Sequence, residues 1–331
     1  MYMEKERYVR DPIHGIIYLP SLAWKIIDTP LFQRSRRIKQ LGSAEYVFPG
    51  ATHSRFSHMI GTAHLAIQVC KKLNITGDDM MIIVLSGLLH DIGHAPMSHI
   101  YEQAGGSSHE NRGELFIDIL SRDIPELMSY SSEIKKIING NSEKPFMAQI
   151  ISNNVSGLDI DKFDYILRDC YFTGIKCTVN IDRIICGMSI LNNNIVYSKK
   201  IIEDIVDVFR SRYDLHKKIY KHRVVRNISL MICEIFKTVN YEPQTIREWV
   251  NFTDDWFNQL RLTNPKVTEI FNNLDNRNLL QTKFTSLNDH DVIDFYTIDC
   301  GYKGQIDLDN GEIIDISNLL QDESIFYLTK M

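Results

Sequence analysis

An apolar run from Met80 to Leu89 ends in His90-Asp91-Ile92-Gly93-His94-Ala95-Pro96-Met97-Ser98-His99, and this junction constrains the chain more than any other stretch. The run has helical composition and would lie at the edge of a core. Gly93 and Pro96 then end or bend that helix, and a new one is expected to begin near Pro96. Three imidazoles and a carboxylate launched from an apolar helix are costly to bury unless something binds them. Continued as a helix, His90 and His94 lie one turn apart on one face, with Asp91 offset by about a quarter turn. The residues alone leave two readings open. They are solvated or core histidines, or they are part of a metal site completed by other segments.

Composition narrows the class. The 331 residues allow one large domain or two ordinary ones, and 44% hydrophobic with 24% charged residues reads as soluble and globular. A formal net charge of −5 argues against bulk electrostatic binding of nucleic acid, which leaves only local basic patches. The six cysteines are scattered without a C-x-x-C pair, which speaks against a zinc ribbon or a disulfide framework and fits a reducing compartment. The charged start, Met1 to Arg10, has no signal-peptide core, and no apolar run approaches a membrane span. A cytoplasmic protein is expected, with the nucleus left open.

In chain order, Asp11-Pro12-Ile13-His14-Gly15 reads as a turn before a short strand, Ile16–Leu19. Helices are expected at Ser21–Ile27 and Leu31–Leu41, the second basic through Arg34, Arg36, Arg37 and Lys39. Thr52 is the expected N-cap of a long helix reaching about Leu73, with Arg55 and His58 neighbours on its surface. Further helices are expected from Ser107-Ser108-His109 to Leu120, at Ser132–Ile138 and at Pro145–Ser152. In the stretch 157–170, Asp161, Tyr165 and Asp169 fall at i, i+4 and i+8, a polar stripe on a helix. Aspartate is a poor interior helix residue, so the stripe needs a reason; salt bridges to Lys162 and Arg168 are one. Ser189–Leu191 and Ile195–Tyr197 form a hairpin through Asn192-Asn193-Asn194. One long helix, about Lys200 to Val239, carries Arg212, His216 and Tyr220 as a second stripe. The pattern stays helical from Glu242 to about Leu280, with breaks at Pro243 and Pro265. Short strands then follow at Val292–Ile298 and Gln305–Leu308. The fold expected is mainly α, with residues 1–282 as one helical domain and 283–331 as a small mixed α/β C-terminal lobe.

These residues carry a family likeness. His58, His90-Asp91 and Asp161 reproduce the H…HD…D order of the HD metal-dependent phosphohydrolases. Asp11-Pro12-Ile13-His14-Gly15, Phe32-Gln33-Arg34, Ile38-Lys39-Gln40-Leu41-Gly42, Val47-Phe48-Pro49-Gly50-Ala51 and Asp161-Lys162-Phe163-Asp164-Tyr165 resemble one subfamily more closely. It comprises the dNTP triphosphohydrolases that in vertebrates carry a sterile-alpha-motif domain ahead of the HD domain. The likeness spans about residues 7–235 and is patchy beyond. No counterpart of the sterile-alpha-motif domain is expected, and the C-terminal lobe looks shortened.

The resemblance implies an HD-domain helical fold and a metal held by His58, His90, Asp91 and Asp161. Imidazoles with carboxylates suit iron, manganese, zinc or nickel, and the sequence does not choose among them. It implies cleavage between Pα and the 5′ oxygen, giving a deoxynucleoside and inorganic triphosphate. His99 holds the position of the proton donor, with His94 and His109 in the same pocket and Glu102 where the family has an aspartate. Arg55, Lys162 and Arg212 match phosphate contacts, and Mg²⁺ is expected on the triphosphate. Gln40 and Asp169 match contacts to the sugar 3′-OH. Tyr165 and Tyr220 line the sugar, Leu41 and Tyr220 crowd C2′ against ribonucleotides, and His216 faces the base.

A second site is implied for a guanine nucleotide, GTP or dGTP, as activator. Arg7, Asp28, Gln33 and Arg36 match it, with Arg7 replacing a lysine. A carboxylate accepts from guanine N1 and N2, and arginines take phosphates. In the family this site lies between subunits and drives assembly, so a homotetramer is expected. Arg183, His222, Arg223 and Arg277 fall at or near positions lining the paired pockets, while Gln281 stands where the family has a lysine. Two other readings remain. Another HD phosphohydrolase, a nucleotidase or phosphodiesterase, would keep the metal but would not need Lys162 and Arg212. A nucleotide-sensing protein with weak catalysis finds its support in Glu102.

Overall fold

The computed structural model describes residues 7–280 and 305–315. An antiparallel hairpin opens it: β1 (Tyr8–Asp11) pairs with β2 (Gly15–Tyr18), Asp11 opposite Gly15. The Asp11 carboxylate closes the turn by accepting from the Ile13 and His14 amides at 2.9 and 3.0 Å. Two helices follow, α1 (Ser21–Ile27) and α2 (Pro30–Gln33). The second starts with Pro30 at its first turn and a Thr29 hydroxyl that accepts from the Phe32 amide.

The expected helix from Leu31 to Leu41 is not continuous. After α2 the chain tightens into a 3₁₀ turn, Arg34–Arg37, and is extended at Ile38. Buried Arg34 explains the break, because its guanidinium is spent on main-chain carbonyls of Ile92, His94 and Trp249 at 2.7–3.1 Å. Lys39 then bridges to Ser54, and a second 3₁₀ turn, Gly42–Tyr46, leads on.

The long α3 (Arg55–Lys72) is capped by Ser54 rather than Thr52. It packs against α4 (Gly77–Leu89), whose apolar residues Ile83, Val84, Leu85, Leu88 and Leu89 are all fully buried. That burial makes α4 the core post from which the histidine-rich segment leaves. After it come α5 (His99–Gln103), α6 (His109–Asp123), α7 (Pro125–Ile138) and α8 (Pro145–Ile151). The Ser108 hydroxyl caps α6 by accepting from the Asn111 amide.

Helix α9 (Ile160–Thr173) starts at an Asp159 cap, ends at left-handed Gly174, and packs on α3. Next come α10 (Ile181–Cys186) and the hairpin of β3 (Met188–Leu191) with β4 (Asn194–Tyr197). Its turn has two residues, not three: Asn192 and Asn193 both sit at positive φ, and Asn194 already pairs with Leu191.

The single helix expected over Lys200–Val239 is two. Helix α11 (Ile202–Leu215) widens into a π-turn at His216–Tyr220, and α12 (Arg223–Val239) begins after His222. The π-turn shifts the i, i+4, i+8 stripe and is a feature common at functional sites. Three short helices, α13 (Ile246–Asn251), α14 (Trp256–Thr263) and α15 (Pro265–Asp275), complete the helical body.

A last hairpin, β5 (Gln305–Asp307) with β6 (Ile313–Asp315), lies against β4 through a Tyr197–Leu308 bridge. The expected strand at Val292–Ile298 and the position of Gln281 lie outside the described residues. The fold is mainly α, and no helix among the described residues is long and apolar enough to cross a membrane.

Candidate metal centre

Three elements bring the four ligand candidates together. His58 comes from the first turn of α3, His90 and Asp91 from the end of α4, and Asp161 from the first turn of α9. The Nε2 atoms of His58 and His90 are 3.1 Å apart. Asp161 Oδ1 lies 3.0 and 3.4 Å from them, and Asp91 Oδ2 lies 3.4 and 3.6 Å away. Ligand atoms about 2.1 Å from one metal sit about 3.0–3.4 Å from each other, so the spacing fits a coordination shell.

The tautomers support the same reading. His90 Nδ1 donates to the Gly87 carbonyl at 2.8 Å, and His58 Nδ1 faces Asp164 Oδ2 at 2.7 Å. Both Nε2 lone pairs are thereby turned toward the carboxylates. Four electron-rich atoms in contact require positive charge between them. Burial opposes a proton on His58, yet the Asp161 and Asp164 carboxylates lift its pKa to about 10. The donor set fits a divalent transition metal as the natural bearer of that charge.

Behind His58 stands a buried ionic network that the sequence reading left without a role. The Asp164 carboxylate takes His58, His14 at 2.6 Å, and Arg168 at 2.8 and 2.9 Å. Arg168 also reaches Asp11 at 2.8 Å, so the first hairpin is tied to the ligand shell. Burial raises the cost of the Asp164 charge, but Arg168, His14 and His58 hold its pKa well below the carboxylate range. The i, i+4 spacing of Asp164 and Arg168 was the available signal. Gly61 makes room for this network, because a Cβ there would stand 1.9 Å from Asp164 Oδ1.

His94 does not share a face with His90. The helix stops at Leu89, and the following turns carry His94 into a second imidazole group with His99 and His109. Its ring centroid is 4.9 Å from that of His99 and 4.1 Å from that of His109. Burial, then the charge of Arg55, keeps His94 well below its usual pKa and therefore neutral. Glu102 Oε1 is 2.9 Å from His109 Nδ1, while its other oxygen is 3.7 Å from His99 Nδ1. Burial works against the Glu102 charge, but His109 and His99 hold its pKa far below the usual range. Met97 and Ser98, just ahead of His99, sit at φ 57° and 54°, backbone that costs non-glycine residues on the order of 1–3 kcal/mol each.

Of the residues expected to meet phosphate, Arg55 lies closest to the ligands, donating to Asp91 Oδ2 at 2.5 Å and to Ser98 Oγ at 3.0 Å. Lys162 is held by Asp159 at 2.8 Å, on the side of α9 that caps its own helix. Arg212 donates to the Tyr165 hydroxyl at 3.2 Å. The polar stripe of α9 thus has partners at each of its three positions: Asp161 meets His58 and His90, Tyr165 meets Arg212, and Asp169 meets Tyr220 at 2.5 Å. Asp169 also takes buried His53 at 2.7 Å, a residue the sequence reading passed over. A cavity of about 480 Å³ is lined by Gln40, Leu41, His99 and Tyr220. His216 packs edge-on against Tyr220, with ring centroids 4.9 Å apart.

Arg7, Asp28, Gln33 and Arg36, at and around α1 and α2, form two separate pairs. Arg7 holds Asp28 with two bonds of 2.6 and 3.0 Å and stacks over Trp24. Gln33 donates to the Ile27 carbonyl at 2.7 Å and accepts from Arg36 at 2.7 Å. Elsewhere Arg183 pairs with Asp204, Arg277 donates to the Tyr46 carbonyl, His222 faces Phe48, and Arg223 opens α12 exposed.

The family model for the HD domain matches residues 55–169, which run from the start of α3 to Asp169. The chain is 31% identical over 306 residues to a protein of Dictyostelium discoideum named deoxynucleoside triphosphate triphosphohydrolase SAMHD1 homolog, covering 83% of this chain and 60% of that protein. It is 35% identical over 289 residues to an HD domain-containing protein of Acanthamoeba polyphaga mimivirus, covering 78% of this chain and 62% of that one. To the human deoxynucleoside triphosphate triphosphohydrolase SAMHD1 it is 32% identical over 281 residues, covering 70% of this chain and 45% of the human protein. The chain therefore spans between about half and three fifths of the length of these relatives.

Proposed function

The chain carries an HD domain and is homologous over most of its length to proteins named deoxynucleoside triphosphate triphosphohydrolase, and from that kinship we propose that it hydrolyses dNTPs to deoxynucleoside and inorganic triphosphate. The observation that carries the reading is the meeting of His58, His90, Asp91 and Asp161 beside a second imidazole group holding His99. These four residues would hold one iron, manganese, zinc or nickel ion. When bound, such a metal supplies Lewis acidity, acidifying water and drawing charge from a phosphate oxygen.

The remaining work falls to side chains. Arg55, Lys162 and Arg212 offset the charge of the triphosphate, which travels with Mg²⁺. His99 gives its proton to the 5′ oxygen as the Pα–O5′ bond breaks, and water supplies the new oxygen on Pα. Glu102 holds the histidine pair by charge, and buried neutral His94 separates that pair from the ligand shell. Gln40 and Asp169 take the sugar 3′-OH, and Tyr165 lines the sugar. Leu41 and Tyr220 fill the space a 2′-OH would need, and His216 faces the base.

Control belongs to the same proposal. Arg7, Asp28, Gln33 and Arg36 would receive GTP or dGTP, with Arg183, His222, Arg223 and Arg277 completing the pockets in a homotetramer. The residue types support this: Asp28 supplies a carboxylate to accept from guanine N1 and N2, and Arg7 beside it and Arg36 beside Gln33 supply guanidiniums for phosphate. The experiment is metal removal by chelator and return of single divalent ions with dATP as substrate. The proposal expects loss and then recovery of hydrolysis, and hydrolysis that never depended on metal would refute it.

A further inference from the structure

We propose that Asp254 is a positioning residue for His99, holding the strained Met97–Ser98 turn in the conformation that aims the imidazole. The inference rests on His99 as proton donor and deepens that reading. Asp254 lies between α13 and α14, 157 residues from Met97 in sequence. Its Oδ1 accepts from the Met97 amide at 2.7 Å, and its Oδ2 accepts from the Lys39 amide at 2.8 Å. Its own amide donates to the Arg37 carbonyl at 3.0 Å. One carboxylate therefore fastens the segment leading to His99 to the segment leading to Gln40.

The turn needs such a fastening. Met97 and Ser98 are consecutive non-glycine residues at positive φ, and Ser98 is the N-cap of α5, whose first residue is His99. Backbone of this kind persists only where neighbours over-determine it. The Ser98 hydroxyl donates to the Lys39 carbonyl at 2.7 Å and accepts from Arg55 Nε at 3.0 Å. Those bonds hold the side chain, whereas Asp254 holds the main chain one residue earlier. Helix α5 is only five residues long, so it has little rigidity of its own with which to fix His99. Removing the carboxylate frees the Met97 amide, lets the turn relax, and swings the imidazole away from the 5′ oxygen.

The test is Asp254→Ala, which removes both acceptor oxygens. Two substrates separate positioning from general damage: dGTP, and its analogue with sulfur bridging C5′ and Pα, whose thiolate leaves without a proton. Hydrolysis of dGTP should fall by about 100-fold in kcat with KM little changed, the size of effect that a misplacement of about 1 Å produces. The sulfur analogue should lose no more than about threefold, because proton donation is the part that fails. Equal losses on both substrates, or no loss on either, would overturn the proposal. A second readout needs no turnover: the His99 ring signal in a two-dimensional NMR spectrum, identified with His99→Gln. It should shift in Asp254→Ala while the signal of His14, which is bonded to Asp164, holds, and an unmoved His99 signal overturns the assignment. If the unaltered protein leaves dGTP intact, the functional reading fails by itself, and the ring signal still decides whether Asp254 places His99.

Discussion

The ligand set depends on which nitrogen of each histidine carries its proton. Asp164 and the Gly87 carbonyl occupy the two Nδ1 atoms, so Nε2 in both rings is the atom that would meet a metal. Asp161→Ala should therefore release the metal and lower dNTP hydrolysis by at least about 100-fold, while circular dichroism stays close to that of the parent. The second half of that expectation follows because the core around the site comes from apolar residues such as Ile160, Phe163 and Ile166, all buried. Full metal content in Asp161→Ala would remove it from the ligand shell. Tyr220 raises a different expectation. Its hydroxyl is spent on Asp169 and it lines the cavity with Leu41, so its ring is fixed in place. Tyr220→Ala should raise the ratio of ATP to dATP hydrolysis by roughly tenfold, the reach of a steric contact worth 1–3 kcal/mol. Equal use of ATP and dATP by the unaltered protein would contradict the steric account.

Helices α3 and α9 cross where Gly61 faces Asp164, and this crossing sets the distance from His58 to Asp161. Gly61→Ala should destabilise the protein by about 1–3 kcal/mol through overpacking and weaken metal binding as well, both measurable by thermal unfolding with and without added metal. A stable variant with full metal affinity would show that the crossing has slack. The sequence made much of this legible: α1, α8, the histidine-rich junction and the asparagine hairpin all stand close to where periodicity and turn chemistry put them. The failures have local causes. Arg34 read as one charge of a basic helix, yet it is buried and breaks that helix by bonding to carbonyls more than fifty residues away. The stripe Arg212, His216, Tyr220 kept a helical period across a π-turn that no periodicity reveals. His90 and His94 were placed on one face because Gly93 gave no measure of how soon α4 would stop. His53 and Asp254 act through partners on distant elements, and single-sequence spacing carries no trace of those, whereas Asp164 showed only its i, i+4 spacing to Arg168.

For the molecule as a whole, the two sets of residues differ in exposure: His58, His90 and Asp91 are buried or nearly so, whereas Arg7, Asp28 and Arg36 are exposed. Asp28 and Arg7 are both half-exposed, so their ion pair alone contributes little to stability. A ligand favours an assembly only by binding it better than the separate chains, so tetramer formation should rise with both GTP and protein concentration. Asp28→Ala should abolish that dependence in sedimentation velocity runs and leave metal content unchanged. A monomer at every GTP concentration, with dATP hydrolysis indifferent to GTP, would end the activator proposal. The central claim, cleavage at the 5′ oxygen of a dNTP, is tested most directly by identifying the products. The protein is incubated with dGTP and Mn²⁺, and the mixture is resolved by anion exchange beside authentic standards. Deoxyguanosine and inorganic triphosphate in equal amounts is the predicted result, whereas orthophosphate with dGDP, or pyrophosphate with dGMP, would contradict it.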